Sequence, residues 1–238
     1  MPKSTLALKR VAPLNCRTLA ATRVGEVLIE DNLMSLAQSM ERLNLDVIMV
    51  TETKRRKSNF DFSYGNNRTI SCFFGSFKKV GGVGFLVNSA LTKLICFSSF
   101  ISIRLGRIDF MLDGVRIAMI VGYAPILKDK GTDEFYNDLI KLLLLKPFDD
   151  VLIGGDFNAR LANKYTRDIS STNFSPIQNT NGDALLEFAT ANNLSILLFP
   201  RRSVVGGPGT RLAGLLMKMR LTIWLSLIIF LLQKEPGL

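Results

Sequence analysis

The sequence contains no histidine, and its three cysteines, Cys16, Cys72 and Cys96, lie far apart with no CxxC pair. Zinc centres are built from histidine and cysteine at short spacings, so this composition argues against one. It argues equally against a disulfide framework and points to a reducing compartment. A cysteine nucleophile is disfavoured too: no imidazole exists to activate Cys16, whose expected role is packing. Long apolar runs are also scarce. "LTIWLSLIIFLL", residues 221–232, is too short against the roughly 20 residues that cross a bilayer, and Arg220 and Lys218 block its backward extension. The N-terminal "MPKSTLALKRVAPL" is too broken for a signal peptide. The expectation is an intracellular protein, nuclear or cytoplasmic, neither secreted nor anchored in a membrane.

What is present suits one large α/β domain. The 238 residues are 47% hydrophobic and 21% charged, enough to bury a substantial core. The formal charge of +10 favours an anionic partner, and nucleic acid is the commonest. There is no internal repeat and no low-complexity linker. "LALKRVAPLN" reads as a first strand ending at Asn15. Val24, Val27, Leu28, Leu33, Leu36, Ala37, Met40 and Leu43 recur at helical spacing and predict one amphipathic helix from Val24 to Leu43. "DVIMVTETK" is a buried strand delivering Glu52, Asn59–Arg68 reads as a polar loop, and "TISCFF" and "VGFLV" are short strands. "LTKLICFSSFISIRL", "RIDFML" and "VRIAMIVGYAP" continue the β pattern, with Asp113–Gly114 as a hairpin turn. "TDEFYNDLIKLLLL" is a helix with Thr132 as its N-cap. "DDVLIGGDFNA" (strand), "NTNGDALLEFATANN" (loop and helix) and "LSILLF" (strand) follow. Hairpins mixed with β–α–β units predict mixed sheets covered by helices.

Asn15, Glu52 and the pair Asp156 and Asn158 all end apolar runs. Buried parallel strands that finish in polar residues assemble a site in the crevice at that edge. Carboxylate and amide oxygens suit Mg²⁺, which keeps several waters and polarises a phosphoryl oxygen. Each residue alone reads more readily as a cap or a turn. Together, "LNCRTL" (14–19), "DVIMVTETKRR" (46–56), "GGVGFLV" (81–87), "GYAP" (122–125) and "GGDFNA" (154–159) occur in order. Over about residues 5–200 the chain resembles the endonuclease/exonuclease/phosphatase family. Within it the likeness is to the apurinic-like endonucleases of non-LTR retrotransposons and their craniofacial-development-protein-2-like relatives.

The resemblance implies a DNase I-like fold, a four-layer α/β sandwich of two mixed β-sheets with outer helices. It implies a Mg²⁺- or Mn²⁺-dependent phosphodiesterase with DNA as partner, acting as a monomer. Asn15 and Glu52 match the family's metal-site residues, and Tyr123 its tyrosine beside the scissile phosphate. Asp156 matches the aspartate that orients or activates water, and Asn158 the amide that holds water and phosphate. Lys54, Arg55, Arg56 and Lys57, just beyond Glu52, read equally as a phosphate-contacting rim and as a solvated charge run. "GGVGF" lacks the GK[ST] of a phosphate loop and reads as a tight turn. Phe73, Phe74, Phe77 and Phe85 read as core rather than as stacking platforms.

Two family pieces are missing: a late "NEIDY" strand following an "RRWTW" segment, and a C-terminal "SDH". Losing an acid–base group costs about 10²–10⁴ in rate, so the expectation is an impaired enzyme. Missing final strands should also leave one sheet with an unpaired edge. Residues 201–238 accordingly read as an aberrant apolar tail after an incomplete domain 1–200. A frame shift near Arg202 accounts for it. Lys218 to Trp224 can be written so that the frame one base earlier spells "NEIDYM", and residues 203–209 can yield an "RRxWTW"-like segment. A codon at Leu221 or Thr222 that forbids the aspartate would sink that hypothesis. Three alternatives stand beside the nuclease: a relic that only binds nucleic acid, a small-phosphoester phosphatase of the same fold, and a tail-anchored protein.

Overall fold

The computed structural model describes residues 8, 10–65, 67–75, 81–126, 131–162, 177–198 and 229–233. The first sheet has the order β1-β4-β7-β6-β5. Its strands are β1 (Val11–Asn15), β4 (Val47–Thr51), β5 (Ser58–Tyr64), β6 (Arg68–Phe74) and β7 (Val83–Asn88). The second has the order β12-β13-β11-β10-β9-β8. It comprises β8 (Ile95–Phe100), β9 (Leu105–Leu112), β10 (Val115–Tyr123), β11 (Asp150–Asp156), β12 (Leu194–Leu198) and β13 (Ile229–Gln233). A separate hairpin joins β2 (Thr22–Val24) to β3 (Val27–Ile29), and the helices are α1 (Asp31–Arg42), α2 (Ser89–Thr92), α3 (Thr132–Leu144) and α4 (Thr180–Ala191). Both sheets are mixed, with parallel pairs β1/β4 and β10/β11.

Strand alternation explains the layers. In β4, Ile48 and Val50 face α1, whereas Val47 and Met49 join the core between the sheets. In β10, Ala118 and Ile120 pack beneath α3 and α4, whereas Met119 and Val121 meet the opposite sheet. Strands covered on both faces read as continuous apolar runs. The result is four layers: α1, the first sheet, the second sheet, then α3 with α4. That is the DNase I-like arrangement expected.

Several expected elements differ. The helix starts at Asp31, not Val24, because Val24, Val27 and Leu28 belong to the β2–β3 hairpin. Gly25 turns that hairpin with φ +61°, a conformation open to glycine at no steric cost. Asn59–Arg68 is mostly strand, since Phe60, Phe62 and Tyr64 alternate inward along β5 while Asn59, Asp61 and Ser63 are exposed. Gly131 caps α3, and Thr132 is its first residue, its Oγ1 donating to Asn181 Oδ1 instead. Phe74 and Phe85 are fully buried and Phe73 packs beside them, while Phe77 lies outside the described residues. The three cysteines are unpaired. Among the described residues no helix is long and apolar enough to cross a membrane. Beside β11 lies a strand from the tail: β13 runs antiparallel between β11 and β12.

A fully buried ion pair stands on the helix face of the second sheet. Arg107 and Asp109, on β9, are both 0% exposed. The Arg107 Nε and Nη2 donate to the two oxygens of Asp109 at 2.6 and 3.0 Å. Its remaining N–H groups donate to the carbonyls of Leu142, Leu143 and Lys146 at 2.9 Å, closing the C-terminal end of α3. All five guanidinium donors are therefore used. Arg116 Nε adds a third bond to Asp109 at 3.0 Å.

Candidate active site

The alternation that builds the core also aims the site. Val11 in β1, Met49 in β4, Val121 in β10 and Leu152 in β11 all face the space between the sheets. Counting on in steps of two, Asn15, Thr51, Tyr123 and Asp156 face the same space at the carboxyl ends of their strands. The registers agree, with Asn15 opposite Thr51 and Tyr123 opposite Asp156. Four apolar strands thus place polar ends at one mouth of the sandwich.

Asn15 connects the two sheets. Its Nδ2 donates to Glu52 Oε1 at 2.7 Å and to Asp156 Oδ2 at 2.9 Å. Its Oδ1 accepts from the backbone N–H of Arg17, which orients the amide. Tyr123 hydrogen-bonds Glu52; burial, followed by the charges of Glu52 and Asp156, pushes its hydroxyl well above the usual tyrosine range. The Tyr123 ring lies 5.2 Å from the guanidinium carbon of Arg104, whose Nη1 donates to the Tyr123 carbonyl. The Asp156 Oδ1 accepts the backbone N–H of Asn158. Thr51 Oγ1 is buried at this same end with no hydrogen-bond partner among the described residues.

The backbone is strained around these groups. Arg17, Glu52, Lys54 and Asn158 all have positive φ, between 49° and 56°. Each costs roughly 1–2 kcal/mol in an L-residue, and such strain gathers where side-chain direction matters. Gly155 explains the double glycine of "GGDFN": at φ +143° its Cβ would sit 1.9 Å from the Gly122 carbonyl oxygen. Only glycine lets β11 come that close to β10 just before Asp156.

Asn158 also braces the loops at the mouth. Its Nδ2 donates to the Ala124 carbonyl at 2.7 Å, tying the loop after β11 to the loop after β10. Two asparagines at the start of α4 brace these loops. Asn179 donates to the Asn158 carbonyl and accepts from the backbone of Arg160 and Gly182. Asn181, 1% exposed, donates to the carbonyls of Pro125 and Phe157. Their roles were hidden in "NTNG", which reads from sequence as a cap. Arg104 was missed as well, since a lone arginine at a strand start carries no signal.

The "KRRK" run divides. Arg56 and Lys57 are exposed and Lys54 is partly so. Arg55 is not part of the rim: its guanidinium donates to both oxygens of Glu30 and to the Leu19 carbonyl. It also lies 5.2 and 5.1 Å from the Phe60 and Phe74 rings. A guanidinium with a carboxylate, a carbonyl and two aromatic faces stabilises the fold, a role that neither the phosphate rim nor the solvated run described.

Residues 17–212 match the model of the endonuclease/exonuclease/phosphatase family. The chain belongs to this family. It is 28% identical over 162 residues to craniofacial development protein 2 of Bos taurus, a match covering 67% of the chain and 27% of that relative. The chain therefore spans about a quarter of the length of the curated relatives it matches. In fold, this family member is similar to an AP endonuclease from Archaeoglobus fulgidus, with TM-score 0.50 and 16% identity over 93% of the chain and 85% of the other. It is also similar to a 3′ phosphatase from Neisseria bound to product DNA hairpin, with TM-score 0.50 and 14% identity over 94% of the chain and 86% of the other.

The donor set can be tested against a divalent metal. No group of three or more histidine, cysteine, aspartate or glutamate side chains gathers among the described residues. The mouth instead offers the two carboxylates of Glu52 and Asp156, hard oxygen donors, with the Asn15 amide nitrogen between them. That set fits one Mg²⁺ or Mn²⁺ retaining several waters, and does not fit zinc.

Proposed function

We propose that the chain is a metal-dependent DNA endonuclease domain, related to those of retrotransposons and impaired in turnover. The observation that carries this reading is the Asn15 amide held between Glu52 and Asp156, which joins the carboxyl ends of both sheets in one site. Glu52, together with Asn15 once its amide turns the oxygen inward, would hold the cation, which when bound neutralises phosphoryl charge and stabilises the leaving oxygen. Asp156, fixed by Asn15 and by the Asn158 N–H, takes the proton of a water whose oxygen attacks phosphorus. Tyr123 remains protonated over the working pH range and can donate to a phosphoryl oxygen. The bond to the leaving oxygen breaks without a histidine to assist it, because the chain has none. This last point favours a second reading for the chain as written, in which it binds DNA and scarcely turns over. Basic residues Lys54, Arg56 and Lys57 beside the mouth support DNA as the partner.

The test is nicking of supercoiled plasmid with Mg²⁺ or Mn²⁺, against EDTA and against Asp156→Asn. Metal-dependent nicking lost in both controls supports the enzyme, DNA binding without nicking supports the second reading, and neither activity rejects both. Sequencing the transcript from Phe199 to Leu238 tests the frame shift as the source of the impairment.

A further inference from the structure

The β2–β3 hairpin takes no part in the Asn15–Glu52–Asp156 cluster, yet it is built into the same rim. Its near foot is laced to the strand end that carries Glu52: Cys16 N–H donates to the Thr51 carbonyl and Leu19 N–H to that of Thr53. Arg55 then grips both feet at once, through the Leu19 carbonyl before β2 and the Glu30 carboxylate after β3. The hairpin forms a sheet of its own. At its tip Val24 and Val27 stand directly opposite each other, 59% and 64% exposed. A rigidly mounted ribbon that ends in two bare β-branched residues is a poor solvent surface and a good wedge.

Resting on the DNA reading of the adjacent site, we propose that this hairpin engages the duplex, with the Val24–Val27 tip entering a groove and pressing against a base step. Apolar wedges that enter the minor groove partly unstack a step and kink the duplex toward its major groove. Charge favours this occupant. The loop bearing Arg55 also carries Lys54, Arg56 and Lys57, a cationic flank for the phosphates of a duplex whose groove holds the tip. The one acid at the turn, Glu26, suits an element that meets bases rather than backbone. Arg55 is here a positioning residue, since it mounts the wedge without touching nucleic acid.

The test uses the full chain in EDTA, so that no cleavage is needed, and a short DNA duplex carrying 2-aminopurine as a reporter of unstacking. The wild-type protein should bind and raise the fluorescence. V24S/V27S should abolish the rise and weaken duplex binding about tenfold, leaving single-strand binding and the melting temperature unchanged. Arg55→Lys keeps the charge but cannot hold both feet. It should weaken duplex binding in the same direction with an unaltered salt slope, whereas loss of a phosphate contact would lower that slope. Unchanged binding and fluorescence in V24S/V27S overturn the wedge and leave the nuclease reading standing. No duplex binding by the wild type overturns both. A change in sedimentation without a change in DNA binding overturns the wedge by assigning the tip to a second copy of the chain.

Discussion

The molecule holds two polar clusters inside its sheets, and they are finished to different degrees. Around Arg107 every donor has a partner, the carboxylate of Asp109 receives three bonds, and nothing at the centre is exposed. Around Asn15 two carboxylates share one amide, Thr51 Oγ1 has no partner among the described residues, and four neighbouring residues sit in left-handed backbone. The first cluster is closed by the chain itself. The second is held open at a mouth, with like charges brought together and spare oxygen valence. Saturation marks a group that serves the fold, and the open valence at the mouth is what the proposed function uses.

Breaking the closed cluster should have the largest effect on stability. Asp109→Ala leaves Arg107 charged and buried and should cost about 3–5 kcal/mol in urea unfolding. Glu52→Gln should leave stability within about 1 kcal/mol while removing whatever nicking the chain has, by about 10²–10⁴. Equal losses of stability in the two variants would erase the distinction. Asn15→Asp sharpens it. A third carboxylate at the mouth should destabilise the metal-free protein by about 1–2 kcal/mol through like-charge repulsion, and Mg²⁺ should restore the melting temperature.

Buried hydroxyls and a buried thiol also give the molecule a pH signature, to which the open cluster contributes Tyr123. The hydroxyls of Tyr123, Tyr64 and Tyr136 are raised mainly by burial, and the Cys72 thiol is pushed up to about 12. Groups raised on folding favour the protonated native state. Their contribution is full below the unfolded values, about 8.5 for cysteine and 10 for tyrosine, and is lost as pH climbs toward the folded ones. Stability should therefore fall steadily above about pH 9, measured by denaturation across alkaline buffers. Tyr123→Phe should flatten part of that slope. The smallest effect belongs to Tyr136, whose buried hydroxyl has no partner among the described residues. Tyr136→Phe should be neutral or stabilising by up to about 1 kcal/mol.

The open cluster was the more legible of the two in the sequence. Asn15, Glu52, Tyr123 and Asp156 end long apolar runs, and a polar residue after such a run is visible without knowing the fold. Arg107 and Asp109 sit inside "RIDFML", where nothing tells a buried pair from two exposed charges. Arg55 could not be told from its neighbours for a related reason, since its pairing is set by the partner at Glu30 rather than by the run "KRRK". The hairpin was hidden because Val24, Val27 and Leu28 satisfy helical spacing as well as a tight turn does. The alternation of β5 was present in "SNFDFSY" but masked by its polar half. β13 could not be read at all, because its pairing partners lie far away along the chain.

That distance has a consequence for how the protein is made. Among the described residues β12 has one strand neighbour, β13, and β13 also closes against β11 at Leu152 and Ile153. Synthesis proceeds from the N-terminus, and the first sheet is complete once Asn88 has emerged from the ribosome. The second must wait until Gln233 is free, with β11 and β12 exposed to other chains in the meantime. Loop closure over so many residues is slow relative to local pairing. Yield in the cell should therefore depend on chaperone supply and on temperature during translation, even where the finished protein is stable.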